Sequence, residues 1–166
     1  MMSLAALVAI GLVMLAEARL SARHERALRA RGACEPRDDV YPWMQIAYPG
    51  AFVLMTLEGF MRGVGPPVQL TAGALLFLAA KGLKYWAIVS LGPYWSFRVL
   101  VVPGAPLVTD GPYRFLRHPN YAAVIGELIG AAVLLNAPIA GPIATVFFGA
   151  LIKRRIAVEE GALSRS

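Results

Sequence analysis

Gly111-Pro112-Tyr113-Arg114-Phe115-Leu116-Arg117-His118-Pro119-Asn120-Tyr121 is the densest polar cluster in an otherwise greasy chain. Two prolines, two tyrosines, two arginines and a histidine run straight into the apolar stretch that begins at Tyr121 and ends at Leu135. Pro119 suits the first turn of a helix, where its missing N–H costs nothing, so the cluster reads as a helix entrance. Such an entrance presents free backbone N–H groups and a partial positive charge, which suits an anionic or polar ligand. Arg117 adds a planar fork able to grip a carboxylate. The competing reading is an interfacial anchor built from Arg and Tyr.

The surroundings of the cluster settle the class of protein. With 58% hydrophobic and only 16% charged residues, and a mean hydropathy of +0.60, the chain departs from soluble domains, which carry about 25% charged residues. It reads as an integral membrane protein of one domain. A net charge of +6 then marks loops facing anionic lipid rather than a nucleic-acid surface. The lone Cys34 has no partner for a disulfide or a zinc site and reads as a free thiol. No dinucleotide fingerprint, phosphate loop, HExxH motif or cysteine cluster occurs, and with two distant histidines no metal is expected.

The pattern predicts an all-α membrane fold of about five transmembrane helices. The first runs from Met1 to Ala18 and continues as a charged extension to a break at Gly32 and Pro36. Its positive charge follows the apolar run, so it reads as a retained helix rather than a signal peptide. Tyr41 to Met61 is the second span, flanked by the interfacial aromatics Tyr41, Trp43 and Tyr48. A Gly-Pro turn at 63–67 leads to a third span from Leu70 to Leu91, in whose later half Lys81 and Lys84 would snorkel to the cytoplasmic face. Residues 97–102 and 105–109, around Pro103-Gly104, have the grammar of two short strands. Tyr121–Leu135 and Ile139–Ile152, joined at Asn136-Ala137-Pro138, form a helical hairpin near the lower length limit for spanning, the second helix ending in Lys153-Arg154-Arg155.

Charge gives the orientation. With the N-terminus outside and five crossings, the inside segments hold six, five and four of the sixteen lysines and arginines, leaving only Arg62 outside. The polar cluster and the C-terminal tail thereby share the cytoplasmic side. Among ionisable residues in the spans, Glu17, Lys81 and Lys84 read as interfacial, and Glu58 lies close to the outer interface. Glu127 is a functional candidate because charge within a membrane is costly. His24 sits among arginines and reads as solvated. Arg155 and Glu159 are four apart and can pair on one helical face. These readings reach a polar ligand site at the cytoplasmic face, roofed by apolar helices, and stop short of naming a reaction.

Gly111-Pro112-Tyr113 followed by Arg117-His118-Pro119-Asn120-Tyr121 resembles the GPYxxxRHPxY signature of the isoprenylcysteine carboxyl methyltransferase family. Arg155-Ile156-Ala157-Val158-Glu159-Glu160 with Leu163 is similar to that family's C-terminal RxxxEExxL pattern, and the intervening hairpin fits. The likeness covers roughly residues 85–163, so 1–91 reads as three membrane helices and 92–166 as the methyltransferase core. It implies an integral membrane enzyme that uses S-adenosylmethionine without a Rossmann domain. By position, His118 and Tyr121 would contact the cofactor, Tyr113 and Pro119 would shape its pocket, and Glu159 and Glu160 would bind its polar end. Arg117 and Arg155 would be the catalytic pair, orienting the cofactor carboxylate or the anionic acceptor. Trp95, Arg98 and Glu127 are the candidates for contact with substrate. That substrate would be a lipophilic small molecule entering from the bilayer, carrying a carboxylate or an acidic ring hydroxyl, and the short chain favours it over a prenylated protein. The alternatives are a phospholipid N-methyltransferase and an NADPH-dependent reductase of the sterol-reductase type.

Overall fold

The computed structural model describes residues 2–36 and 38–163. Met1, Arg37 and Arg165, which enter the readings of the first span and the charge balance, lie outside them. Five helices follow in order: α1 Met2–Ala30, α2 Tyr41–Arg62, α3 Pro67–Leu91, α4 Pro119–Leu134 and α5 Ala140–Leu163. Short 3-10 turns at Gly92–Tyr94 and Gly111–Arg114 bracket the long connection between α3 and α4. Among the described residues the fold is all-helical, as the apolar runs predict.

Local chemistry sets the boundaries. α1 ends where Gly32 takes a positive φ of 80° and Ala33 N–H returns to the Leu28 carbonyl at 3.0 Å. The Asp39 carboxylate accepts the Tyr41 N–H at 3.1 Å and opens α2. Pro67 and Pro119 begin α3 and α4. α5 does not stop at Lys153-Arg154-Arg155 as expected from the loss of hydropathy. It carries the C-terminal motif on as helix to Leu163, because Ile152 and Arg155 stay buried and keep that face attached to the protein.

The surface is inverted relative to a soluble protein. Val8 and Leu12 of α1, Leu54 and Phe60 of α2, Leu75 and Leu78 of α3, Ile129 of α4, and Val146 and Phe147 of α5 are all exposed. The charged side chains Glu17, Lys81, Lys84, Glu127 and Arg155 are buried. Apolar exposure on every helix is what a hydrocarbon solvent stabilises and water does not. Pro67–Tyr94 is by itself long and apolar enough to cross a membrane. The 16 residues of α4 rise only about 24 Å, against a hydrocarbon core of about 30 Å.

Glycines bring α3 and α4 together. A Cβ on Gly73 would meet the Leu134 backbone at 2.4 Å, and one on Gly130 would meet the Phe77 backbone at 2.6 Å. Close backbone approach through small residues is the packing mode open to helices in lipid, where no hydrophobic force separates them from solvent. α4 thus carries its N-terminus, with the motif, to the end of α3. Phe52, Met55, Leu128, Ala131 and Phe148 fill the space between α2, α4 and α5.

The expectation that Glu17, Lys81 and Lys84 sit at the interface is corrected. Lys81 and Lys84 do not snorkel. Lys81 Nζ lies 2.9 Å from Glu17 and 3.1 Å from Glu127, while Lys84 Nζ lies 2.6 Å from Glu17 and 3.6 Å from Glu127. Two acids and two lysines neutralise one another inside the helix bundle, which offsets part of the cost of burying each charge. Glu58 has a structural task as well: its carboxylate accepts the N–H groups of Ile139 at 3.1 Å and Ala140 at 2.6 Å, capping α5, and pairs with Arg62 at 2.7 Å.

The expected strands at 97–102 and 105–109 do not form a hairpin. The single bridge among the described residues joins Val101 to Cys34 of the α1–α2 loop, with N–O distances of 2.9 and 3.0 Å. Other elements have taken the backbone groups a hairpin would use. Phe97 N–H donates to Ser21 Oγ at 2.7 Å, Val99 N–H to Asp39 at 3.3 Å, and the Phe97 carbonyl accepts from Arg155. The turn at Pro103-Gly104 survives, closed by Ala105 N–H to the Val102 carbonyl at 3.1 Å. His24 is not simply solvated, since its Nδ1–H donates to the Trp95 carbonyl at 2.8 Å. The charged extension of α1 is therefore a clamp on the α3–α4 connection.

Candidate active site

The two motifs, distant in sequence, converge at the N-terminus of α4. His118 is the residue before the first helical turn, and its backbone carbonyl accepts the N–H groups of Tyr121 and Ala122 at 3.1 and 3.2 Å. Pro119 is buried beneath it. Gly111, at φ +61°, allows the chain to pass Ser90, whose Oγ would stand 2.0 Å from a Cβ there. The next residues form the turn that aims Tyr113 inward. Burial first, and the Glu159 carboxylate second, push the Tyr113 hydroxyl up to about 12, so it stays neutral at any ordinary pH.

Tyr121 is the hub between the motifs. Its hydroxyl donates to Glu159 at 2.8 Å and accepts from Arg155 Nε at 2.9 Å. The two members of the C-terminal pattern thus pair through a tyrosine on another helix. His118 stacks on Tyr121 with ring centroids 5.6 Å apart, 3.8 Å from Glu159 and 3.3 Å from the exposed Glu160. Arg155 also meets Asp39 at 3.3 Å, the Phe97 carbonyl and the face of Tyr41. All three of its nitrogens have protein partners, and with five N–H donors it retains further capacity. Arg117 is exposed at the rim.

Two cavities meet here. The first, of about 130 Å³, is lined among others by Trp95, Arg98, Tyr113, Arg117, His118, Pro119 and Glu159. The second, of about 460 Å³, runs between α1, α2, α4 and α5 past Met14, Leu15, Met44, Pro49, Val124 and Phe148. Ser96, Asn120, Tyr121 and Arg155 line both. The wall between a mixed polar cavity and a largely apolar one therefore consists of polar side chains. Two buried polar atoms on these walls have no hydrogen-bond partner, Trp95 Nε1 and Asn120 Oδ1. Orphaned groups of this kind are rare in proteins, because each forfeits its hydration.

Not every candidate reaches the site. Glu127 lines neither cavity; it is fully buried in the lysine cluster and accepts a hydrogen bond from Tyr48. Arg98 lines the smaller cavity but is held by Glu35 at 2.6 Å and Glu25 at 3.4 Å, over the ring of Tyr41. Sequence reasoning missed Asp39 and Asn120. Asp39 carries no local signal, since its pairing with Arg155 depends on how the α1–α2 loop folds back. Asn120 occupies a position that the motif leaves open.

The protein is helical with an apolar exterior, and a mixed polar cavity and a largely apolar one share lining residues at the start of α4. A sequence model of the isoprenylcysteine carboxyl methyltransferase (ICMT) family matches residues 73–165. The uncharacterized protein YpbQ of Bacillus subtilis is 33% identical over 148 residues, spanning 89% of this chain and 88% of its own. An uncharacterized protein of Haemophilus influenzae is 24% identical over 146 residues, spanning 87% and 85%. The chain belongs to the ICMT family, whose members are membrane-embedded methyltransferases.

Proposed function

We propose that this protein is an S-adenosylmethionine-dependent O-methyltransferase acting on a lipophilic small molecule that enters from the bilayer. The observation that carries this reading is the pair of cavities sharing Ser96, Asn120, Tyr121 and Arg155. The residues of the smaller cavity fit the methyl donor. Glu159 offers a carboxylate to an ammonium, Arg117 a fork to a carboxylate, and the orphaned Trp95 N–H a donor to a ring nitrogen. Tyr113, His118 and Pro119 give the walls, and Glu160 stands beside His118 at the mouth. When bound, S-adenosylmethionine supplies a sulfonium methyl that passes in line to an acceptor oxygen, the C–S electron pair returning to sulfur.

The chain's own part is placement. Charge is neutralised in such a transfer, so positioning, exclusion of water and an anionic acceptor suffice. Arg155, fixed by Asp39 and Tyr121, orients that acceptor with its remaining N–H capacity. A carboxylate or acidic ring hydroxyl is already ionised and needs no strong base. The amine of a phospholipid headgroup is the alternative methyl acceptor, and no feature of the smaller cavity singles out a nicotinamide dinucleotide. Trp95 lines the donor's cavity alone, Ser96 bounds the acceptor's path at the wall, and Glu127 acts from behind by holding Lys84 and Tyr48 in place.

The same reading places five crossings in the membrane, the N-terminus outside, and the motifs and C-terminus on the cytoplasmic side, with α4 and α5 as a tight hairpin. Incubating the purified protein with labelled methyl donor and a panel of lipophilic carboxylates, acidic ring hydroxyls and phospholipids tests the activity. Labelled methyl ester or ether supports the reading; labelled phospholipid amine, or no transfer at all, contradicts it.

A further inference from the structure

We propose that the Asn120 side-chain carbonyl recognises the positive sulfonium of the methyl donor, distinguishing donor from neutral thioether product at the wall between the two cavities. This deepens the donor reading above and rests on it. Four residues line both cavities, and three of them already hold hydrogen-bond partners. Ser96 Oγ donates to the Arg98 carbonyl at 2.6 Å, the Tyr121 hydroxyl is engaged by Glu159 and Arg155, and each Arg155 nitrogen has a protein partner. Asn120 Oδ1 alone is a buried acceptor with no hydrogen-bond partner.

An unpartnered acceptor needs either a donor or a positive group. The reacting centre of the donor brings both: a formal positive charge on sulfur, and C–H bonds polarised by it, which make weak hydrogen bonds to carbonyl oxygens. A carbonyl dipole is also the element this wall lacks. The charge of Arg155 is met by Asp39 at 3.3 Å, which leaves the Asn120 carbonyl as the unengaged negative end of a dipole facing an approaching sulfonium. After transfer the sulfur is neutral and presents its own lone pair to the same oxygen, so the interaction vanishes or turns repulsive. Asn120 thereby favours substrate over product and holds the methyl group on the line joining the cavities. Its neighbours in the motif do not share this task, since the aromatic ring of Tyr121 and the imidazole of His118 are stacked on each other.

The test is calorimetric binding of three ligands to detergent-purified wild type, Asn120→Leu and Asn120→Asp. The ligands are S-adenosylmethionine, S-adenosylhomocysteine, and an analogue carrying an ammonium in place of the sulfonium. Wild type is expected to bind both charged ligands more tightly than the thioether, and Asn120→Leu to lose about tenfold of that preference while its thioether affinity holds. Asn120→Asp, which keeps an acceptor oxygen and adds charge, retains or increases the preference. An unchanged ratio in Asn120→Leu, or equal weakening of all three ligands, overturns the proposal and leaves the donor site standing. A folded wild type that binds none of them overturns the donor reading and this proposal together.

Discussion

Two charged clusters lie inside this apolar protein, and they are built alike. In each, a tyrosine hydroxyl donates to a glutamate on another element and basic side chains stand close by. Tyr48, Glu127, Lys81, Lys84 and Glu17 make the first; Tyr121, Glu159, Arg155 and Asp39 make the second. In the first the charges cancel: Glu17, Tyr48 and Lys84 reach the larger cavity, while the orphaned atom, Glu127 Oε1, lines neither cavity and has an ion pair at 3.6 Å but no hydrogen bond. The second is open, with His118, Glu160 and Arg117 toward water and Asn120 Oδ1 unpartnered on a wall common to two cavities. Buried charge is therefore a poor guide to function by itself. Where the orphaned atom sits is the better one: that of the first cluster lies away from both cavities, and that of the second stands on the wall common to them.

The contrast can be broken by experiment. The largest effect is expected from Glu127→Ala, which leaves two buried lysines facing one carboxylate. Breaking a buried ionic network by removing one partner costs about 3–5 kcal/mol, so the melting temperature in detergent should fall steeply. A variant that melts like wild type would show that the cluster is not the brace described. The matched tyrosines give the sharper comparison. Tyr121→Phe removes the hydroxyl that joins Arg155 to Glu159 and is expected to weaken S-adenosylhomocysteine by about tenfold with a modest change in melting. Tyr48→Phe should do the reverse, and equal effects on both readouts would erase the distinction between the clusters.

Arg117→Ala tests the rim. The side chain is exposed, so the melting temperature should hold while turnover with the methyl donor is nearly lost; retained turnover would remove Arg117 from the site. The smallest effect lies in the α1–α2 loop. Burial alone would raise the Glu35 carboxyl, but hydrogen bonds and charge from Arg98 and Arg29 outweigh it and hold it below its ordinary value of 4.5. A depressed carboxyl contributes stability that is present above that ordinary value and fades as pH falls through the lowered one. The pairs are partly exposed, so the contribution is small. Glu35→Gln should slightly flatten the acid limb of the melting profile below pH 4.5, and an unchanged limb would count against the clamp.

What the sequence discloses follows from the range of the forces involved. Pro119 and Gly32 act on their own backbone, so the boundaries they set are legible, whereas Pro67, read as part of a turn, begins α3 three residues before the expected Leu70. The apolar runs are legible because each long run must meet lipid or core. The convergence of His118 and Tyr121 with Glu159 is legible only because two motifs are recognised together, since nothing local links residues so far apart. Long-range polar pairing is where the reading fails. Lys81 and Lys84 look like snorkelling lysines until Glu17 of α1 and Glu127 of α4 are brought to them. Phe97 to Val101 has the composition of a strand, yet Ser21, Asp39, Arg155 and Cys34 take its backbone groups. In both cases the partner lies on an element whose position no local pattern encodes.

The most direct test is calorimetric titration of S-adenosylhomocysteine into the detergent-purified protein, beside Glu159→Ala. Glu159 lines the smaller cavity and bonds the hub tyrosine, and it belongs to the open cluster alone. The account predicts saturable one-to-one binding by wild type and a loss of at least tenfold in the variant at unchanged melting temperature. Equal affinity in the two proteins, or no binding by a folded wild type, would contradict it.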